Sequence, residues 1–396
     1  MRIQAKNLNS RQCYKYLLVL FWGKYFIVDY IRAVIQRLPI ISGAADAIIN
    51  IIYLVLFILS WKYIRRRVRV SDVIFIMTIL GMFILNYIFF PNTSEYLTPK
   101  LPFIFFTIVP LYFIGIRLDL EKDIYILYKA SICNLWLAIA YKMMFGVAMT
   151  DIESLYQGDM SLAYNLLPQV CLIILYAMKE GKALDVFSAI IGSIFILSCG
   201  TRGAMLLVGV YFILYFILFK KVKKPLVSYP LIIAALALAF LKFEDLFVFL
   251  LNIAKKTGMS IRVFDKIVKG NFLKSGGRNQ ILEKMLGIIR ERPVCGYGIG
   301  GDFATVGSYS HNIVIEFIVS FGIVLGIILL LSIIYLYITA IIKAKNTYEK
   351  GFVLVILCSV IGKLMMSNTY LNEMWFLLGI GICINVLRRY KRKDNL

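Results

Sequence analysis

Residues Ile323–Ile342 read IVLGIILLLSIIYLYITAII, without one charged side chain. As a helix, such a stretch crosses a hydrocarbon layer of about 30 Å, and it is too uniformly apolar for a helix of a water-soluble domain. Ile48–Leu59 and Val73–Phe90 have the same character. Hydrophobic residues make up 61% of the chain, and the mean hydropathy is +0.81. The pattern predicts an all-α integral membrane protein with about twelve transmembrane helices. Expected spans are 16–35, 43–61, 72–90, 101–117, 124–146, 161–178, 185–200, 203–219, 226–243, 311–342, 351–366 and 374–387. The stretch 311–342 is long for one crossing, so a tilted helix, or one with its first turns outside the bilayer, is expected there.

Outward from that stretch, the apolar pattern stops between Glu244 and Ser310. The expected organisation is a single polytopic membrane domain over 1–396. A large polar loop, 244–310, is inserted between spans nine and ten. Basic residues cluster at the N-terminus (Arg2, Lys6, Arg11, Lys15) and in Lys62–Arg69, Lys179–Lys182, Lys220–Lys224, Lys343–Lys350 and Arg388–Lys393. Loops poor in them alternate: Pro91–Lys100, Val147–Met160 and Ser367–Glu373. The positive-inside rule then puts both termini in the cytoplasm and the long loop outside. Within that loop, Ile261, Phe264 and Val268 recur at helical spacing among basic residues, as in a helix lying at the headgroup level. A second amphipathic helix is expected over Asn279–Arg290, with Ile281, Leu282, Met285, Ile288 and Ile289 on one face and Pro293 as its stop.

The net charge is +22, with 44 Lys and Arg against 22 Asp and Glu. The basic runs flank apolar spans, so the excess is read as positive-inside bias and attraction to anionic lipid. No basic soluble module is present to bind nucleic acid. The seven cysteines are scattered without a CxxC and mostly lie in apolar spans, where they act as small hydrophobes. The basic N-terminal region, with Lys24 and Asp29 in the first apolar stretch, argues against a cleavable signal peptide.

Few residues have the setting for chemistry. Arg202, in Cys199-Gly200-Thr201-Arg202-Gly203-Ala204, stands at the outer boundary between two spans. An arginine there faces a polar cavity or an anion, or it snorkels as an interfacial charge. Its planar fork of donors suits phosphate. Arg278 follows Gly276-Gly277 and opens the second loop helix, where backbone N–H groups favour anions; the plain alternative is a solvated loop arginine. Arg290 and Arg292, at the far end, complement the dipole of that helix. His311 is the chain's only histidine. It is either a satisfied interfacial residue or a proton acceptor for a substrate hydroxyl. Asn312 is placed to orient a sugar hydroxyl, and Glu316, one turn on, to fix the imidazole or pair with an arginine. Gly296-Tyr297-Gly298-Ile299-Gly300-Gly301 matches a dinucleotide fingerprint by letter but lacks its strand and helix, so a flexible turn is expected. One histidine and dispersed outer carboxylates (Glu95, Asp151, Glu153, Asp159, Asp302) give no expected metal site.

These residues resemble the O-antigen ligase/polymerase membrane family. Thr201-Arg202-Gly203 is similar to its Ser/Thr-Arg-Gly element. Gly277-Arg278-Asn279, Arg292-Pro293-Val294-Cys295-Gly296-Tyr297-Gly298, Ser310-His311-Asn312 and Glu316–Gly322 resemble its later block, and the likeness covers about 190–325. Thr201 stands where serine is common, and the loop is shorter and more basic than in many ligases.

The resemblance implies a fold like the GT-C-like membrane glycosyltransferases that use lipid-linked sugars. It further implies that Arg202 and Arg278 engage pyrophosphate, that Arg292, Asn312 and Glu316 help bind substrate, and that His311 activates the acceptor. The implied partners are an undecaprenyl-pyrophosphate-linked oligosaccharide, membrane lipids and a chain-length regulator protein. The implied place is the bacterial inner membrane. No cofactor is expected, because the donor carries its own activated leaving group. The expected activity is that of a Wzy-type polymerase of O-antigen or capsule repeat units. Its closest rival is a ligase with lipid A-core as acceptor. The rival of another class is a flippase, against which the lack of paired halves argues.

Overall fold

The computed structural model describes residues 9–23, 45–146, 160–199, 201–219 and 278–393. Every regular element among them is helical. Among the described residues, six helices are long and apolar enough to cross a membrane: Val70–Phe89, Pro91–Arg117, Lys122–Ala140, Met160–Glu180, Arg202–Phe219 and Ile313–Lys343. Ile48–Ile64 and Ala183–Ser198 are shorter apolar helices. The chain is thus a helical membrane protein. Ten of the expected spans coincide with helix, and the first is helical over Ser10–Trp22. The rest of that first span, the span expected at 226–243, and residues 244–277 with the amphipathic segment 260–268 lie outside the described residues.

The chain divides into two compact units, one made of residues 1–131 and 277–396, the other of 132–276. In the second unit, Met160–Glu180 and Ala183–Ser198 form a helical hairpin. Gly181 supplies the turn at φ +67°. Met160–Glu180 is buried along most of its length despite Pro168 in its interior. The pair packs closely because Gly192 has no side chain: a Cβ there would lie 2.9 Å from Val170 Cγ2 and 3.2 Å from Leu135 Cδ2. Arg202–Phe219 packs on the same hairpin.

The first unit has an aromatic centre. Trp22 stacks on Trp375 at 5.5 Å and touches Phe352, and its indole N–H donates to Ser131 Oγ at 2.8 Å. Val109–Arg117 lies against Trp375–Lys393 with backbones nearly touching. A Cβ on Gly115 would sit 2.6 Å from the Leu378 carbonyl oxygen, and one on Gly381 would sit 2.4 Å from that of Tyr112. Small residues at such crossings let apolar helices gain dispersion contacts where lipid offers no hydrophobic drive.

The loops of this unit sort into two ends, as their charge suggests. At one end Arg388 donates to both oxygens of the buried Asp72 carboxylate, at 2.7 and 2.8 Å, and Tyr112 donates to the same group. Arg389 pairs there with Glu121 and Glu349. At the other end residues 86–100 touch 299 through Asn86 and 372 through Lys100, and Glu316 reaches Tyr370. Four segments of the expected inner and outer sets thus meet as two groups: Arg67 and Arg69 line one cavity with Arg388 and Arg389, and Lys100 bonds Asn372.

Ile313–Lys343 is not one tilted rod. It breaks at Gly322, where φ is +77° and ψ 170°. The strap Pro293–Gly298 enters the break. Tyr297 N–H donates to the Val319 carbonyl at 2.7 Å, Gly298 N–H to that of Ser320 at 3.0 Å, and Ile323 N–H to that of Pro293 at 2.8 Å. Backbone groups freed inside an apolar span are thereby satisfied again, which is the condition for tolerating a break there. Gly296–Gly301 is therefore a fixed element, contrary to the flexible turn expected. Its glycines at 296, 298 and 300 all have positive φ. Asn86 Oδ1 accepts from Ile299 N–H at 2.6 Å, and a Cβ on Gly298 would meet that same oxygen at 2.5 Å.

Candidate functional site

The kinked helix starts at Ile313 because Asn312 caps it: its Oδ1 accepts from Val314 N–H at 2.9 Å and Ile315 N–H at 3.5 Å. The side-chain oxygen of Asn312, the residue expected to orient a sugar hydroxyl, is thus used by the fold. Immediately before the cap, His311 adopts φ +57°. A histidine in the left-handed region is uncommon and persists where its surroundings over-determine it. Here they do so from both sides. Ser310 Oγ donates to the Asn312 carbonyl at 2.9 Å, and Ser310 N–H donates to Asp302 Oδ2 at 3.0 Å.

The His311 ring is half-buried beside Tyr309, with ring centroids 4.1 Å apart, and its Nδ1 has no hydrogen-bond partner among the described residues. Burial lowers its pKa, and the Arg278 guanidinium lowers it further. Arg278 thus lies within electrostatic reach of His311. Arg278 is the first described residue of Arg278–Glu291, and one of its N–H groups donates to the Met366 carbonyl at 2.8 Å. Its remaining donors have no partner among the described residues. Arg278–Glu291 is the amphipathic helix expected at 279–290; it buries Met285 and leaves Leu282 exposed. Arg292, about 20 Å along from Arg278 at 1.5 Å per residue, lies with its guanidinium over the Tyr297 ring, 4.9 Å from the centroid. The structure does not bring it to His311.

Glu316 neither holds the imidazole nor pairs with an arginine. It is buried, accepts from the Thr369 hydroxyl, and accepts from Tyr370 N–H at 3.4 Å. The loop 367–373 came within its reach because Lys363 and Glu373 form a buried ion pair at 2.6 Å, joined by Asn368 at 3.0 Å from the same carboxylate oxygen. Lys363 interrupts an apolar span, a signal for a polar partner inside the bundle that the sequence reading left unused. Lys100 bonds Asn372 Oδ1 at 2.8 Å and lies within electrostatic reach of Asp302 and Glu316. Asp302 is almost wholly buried, accepting from Phe303 and Ser310 N–H groups. Burial raises its pKa, to about 6, against the opposing pull of those N–H groups and of Lys100.

Arg202 belongs to the other unit. It is the first residue of Arg202–Phe219, where backbone N–H groups of the first turn lack helical acceptors. Thr201, before it, is buried. Among the described residues, no three of His, Cys, Asp and Glu gather as a metal site.

These features define a helical membrane protein whose one histidine has a left-handed backbone, within electrostatic reach of an arginine whose remaining donors have no partner among the described residues. The family model described as O-antigen ligase matches residues 187–331, a stretch that includes Arg202, Arg278 and His311. The match supports the O-antigen ligase/polymerase family read from the motifs, and with it a part in lipopolysaccharide or polysaccharide assembly. No curated protein and no solved structure matches the chain.

Proposed function

We propose that this chain is a GT-C-like membrane glycosyltransferase of about twelve spans. It polymerises O-antigen or capsule repeat units, moving a glycan from undecaprenyl pyrophosphate to the non-reducing end of another lipid-linked unit. Both termini are cytoplasmic, the site faces outward, and the membrane is the bacterial inner membrane. The observation that carries the reading is that His311, in a left-handed backbone just before the kinked helix, lies within electrostatic reach of Arg278.

The chemistry follows from that pair. An acceptor hydroxyl attacks the anomeric carbon of the donor sugar, and the bond to the pyrophosphate oxygen breaks. His311, in its neutral form, takes the hydroxyl proton. Arg278 meets the negative charge that builds on the departing pyrophosphate, in a partly dry setting where such charge stabilisation is strongest. No metal is required. Arg202 is the second pyrophosphate-binding arginine on the strength of the motif it shares with the family.

His311→Ala and Arg278→Ala are expected to abolish long glycan chains while leaving protein level and single repeat units intact. Normal ladders in both variants defeat the assignment. A ligase acting on lipid A-core is the alternative within the class. On gene deletion, core bearing one repeat marks a lost polymerase, and bare core with accumulated lipid-linked polymer marks a lost ligase.

A further inference from the structure

We infer that Asp302 is the positioning residue of His311: its buried carboxylate holds the Ser310 N–H and so fixes the backbone that presents the imidazole beside Arg278.

The inference starts from geometry. Asp302 lies in the short helix Gly301–Val306, which begins after Gly300 in the left-handed conformation and is fastened by Tyr96, whose ring stacks on Phe303 at 4.1 Å. One carboxylate oxygen accepts from Phe303 N–H at 2.8 Å and the other from Ser310 N–H at 3.0 Å. The side chain thus closes the loop from Asp302 to Ser310 on itself. The next residue is His311 at φ +57°, and the one after is the cap of the kinked helix. A left-handed histidine reverts to commoner backbone conformations unless both flanks are held. Asn312 holds one flank and Asp302 the other. A buried carboxylate is costly to keep in an apolar rim, and two N–H donors with Lys100 nearby are what retain it. Its cost is explained if the conformation it enforces matters. The groups facing the imidazole are Arg278 and Tyr309; those facing Asp302 are Lys100, Glu316 and Tyr96.

His311 is the only histidine of the chain, so its ring gives one signal in full-length protein labelled at histidine carbon and held in nanodiscs. Titration of that signal by NMR is expected to move in Asp302→Asn, which presents only one acceptor oxygen. The midpoint should rise toward the ordinary 6.5 as the ring leaves the half-buried place beside Arg278. Asp302→Glu, which keeps both acceptors, is expected to restore part of the wild-type midpoint. A midpoint in Asp302→Asn identical to the wild type overturns the inference.

The catalytic consequence rests on the glycosyl-transfer reading above. Asp302→Asn should shorten the glycan ladder in otherwise wild-type protein. Asp302→Glu should restore part of the ladder, as it restores part of the midpoint. A moved NMR midpoint with an unchanged ladder sinks the reaction and leaves the positioning intact. A shortened ladder with an unmoved midpoint does the reverse.

Discussion

The carbonyl oxygen of Val294 occupies the space that a side chain on Gly322 would take. A Cβ there would lie 1.9 Å from that oxygen. The strap before the short helix Gly301–Val306 and the break in the long helix therefore exist together or not at all. Gly322→Ala adds a clash with backbone to the strain of φ +77°, and neither atom set can move far. Purified Gly322→Ala is expected to lose about 3 kcal/mol or more of stability. A thermal melt in detergent that matches the wild type excludes this account.

The neutral form of His311 persists to more acid pH than that of an ordinary histidine, because burial and Arg278 both oppose its protonation. Glycosyl transfer by isolated membranes is expected to hold as pH falls below 6.5, and to decline only further down. In Arg278→Gln, residual activity should begin its decline nearer 6.5, since one of the two causes is gone. Folding has the same sign: protons favour the unfolded chain below 6.5, so this contribution is present above 6.5 and is lost as pH falls through the lowered folded value. A pH–rate profile of chain elongation for both proteins is the measurement. Acid limbs that coincide count against the pairing.

Arg388 and Asp72 form the strongest polar contact at the other end of the first unit, with two bonds of 2.7 and 2.8 Å to a carboxylate 1% exposed. Arg388→Met strands that carboxylate, and its cost is expected at about 3–5 kcal/mol. Adding Asp72→Asn should recover part of the loss, since no uncompensated charge then remains. Equilibrium unfolding of the two single variants and the double variant gives the coupling; strictly additive losses would falsify it.

Asn86 reaches from the end of Val70–Phe89 to the Ile299 N–H at 2.6 Å, with its amide on Thr93 Oγ1 at 2.8 Å. Asn86→Leu keeps the volume and removes the acceptor. It is expected to destabilise by about 1–3 kcal/mol, the usual consequence of an unpaired buried N–H. Thr93→Val, which spares the acceptor, should cost less. Melting temperatures of the pair in one detergent decide the order.

Spans were legible in the sequence because their signal is local: an apolar run either reaches the thickness of a bilayer or it does not. The loop helix was legible too, from Gly276-Gly277 before it and Pro293 after it. The break at Gly322 was not. No polar residue interrupts the run 321–331, and what bends the chain is a carbonyl from Val294 arriving through space. Glu316 was misread for a similar reason. Its neighbours one turn away in sequence are not its partners, which come from Thr369 and Tyr370 on a separate loop. Asp302 looked like one of several scattered acids, since nothing in its own stretch announces the fold-back to Ser310. His311 and Arg278 were found because a lone histidine and an arginine after two glycines stand out by residue type alone.

The fold-back between Asp302 and Ser310 makes the number of residues separating them matter more than their identity. Both ends of that segment are anchored, one in a capped helix and one in a hydrogen bond to a carboxylate. Val306 and Ser308 can therefore drift in composition at little cost, whereas Gly307, at φ +75°, is held to glycine by its backbone. A single inserted or deleted residue would swing the imidazole out of register as surely as replacing it. Lineages that share this rim should keep its spacing fixed while its letters change.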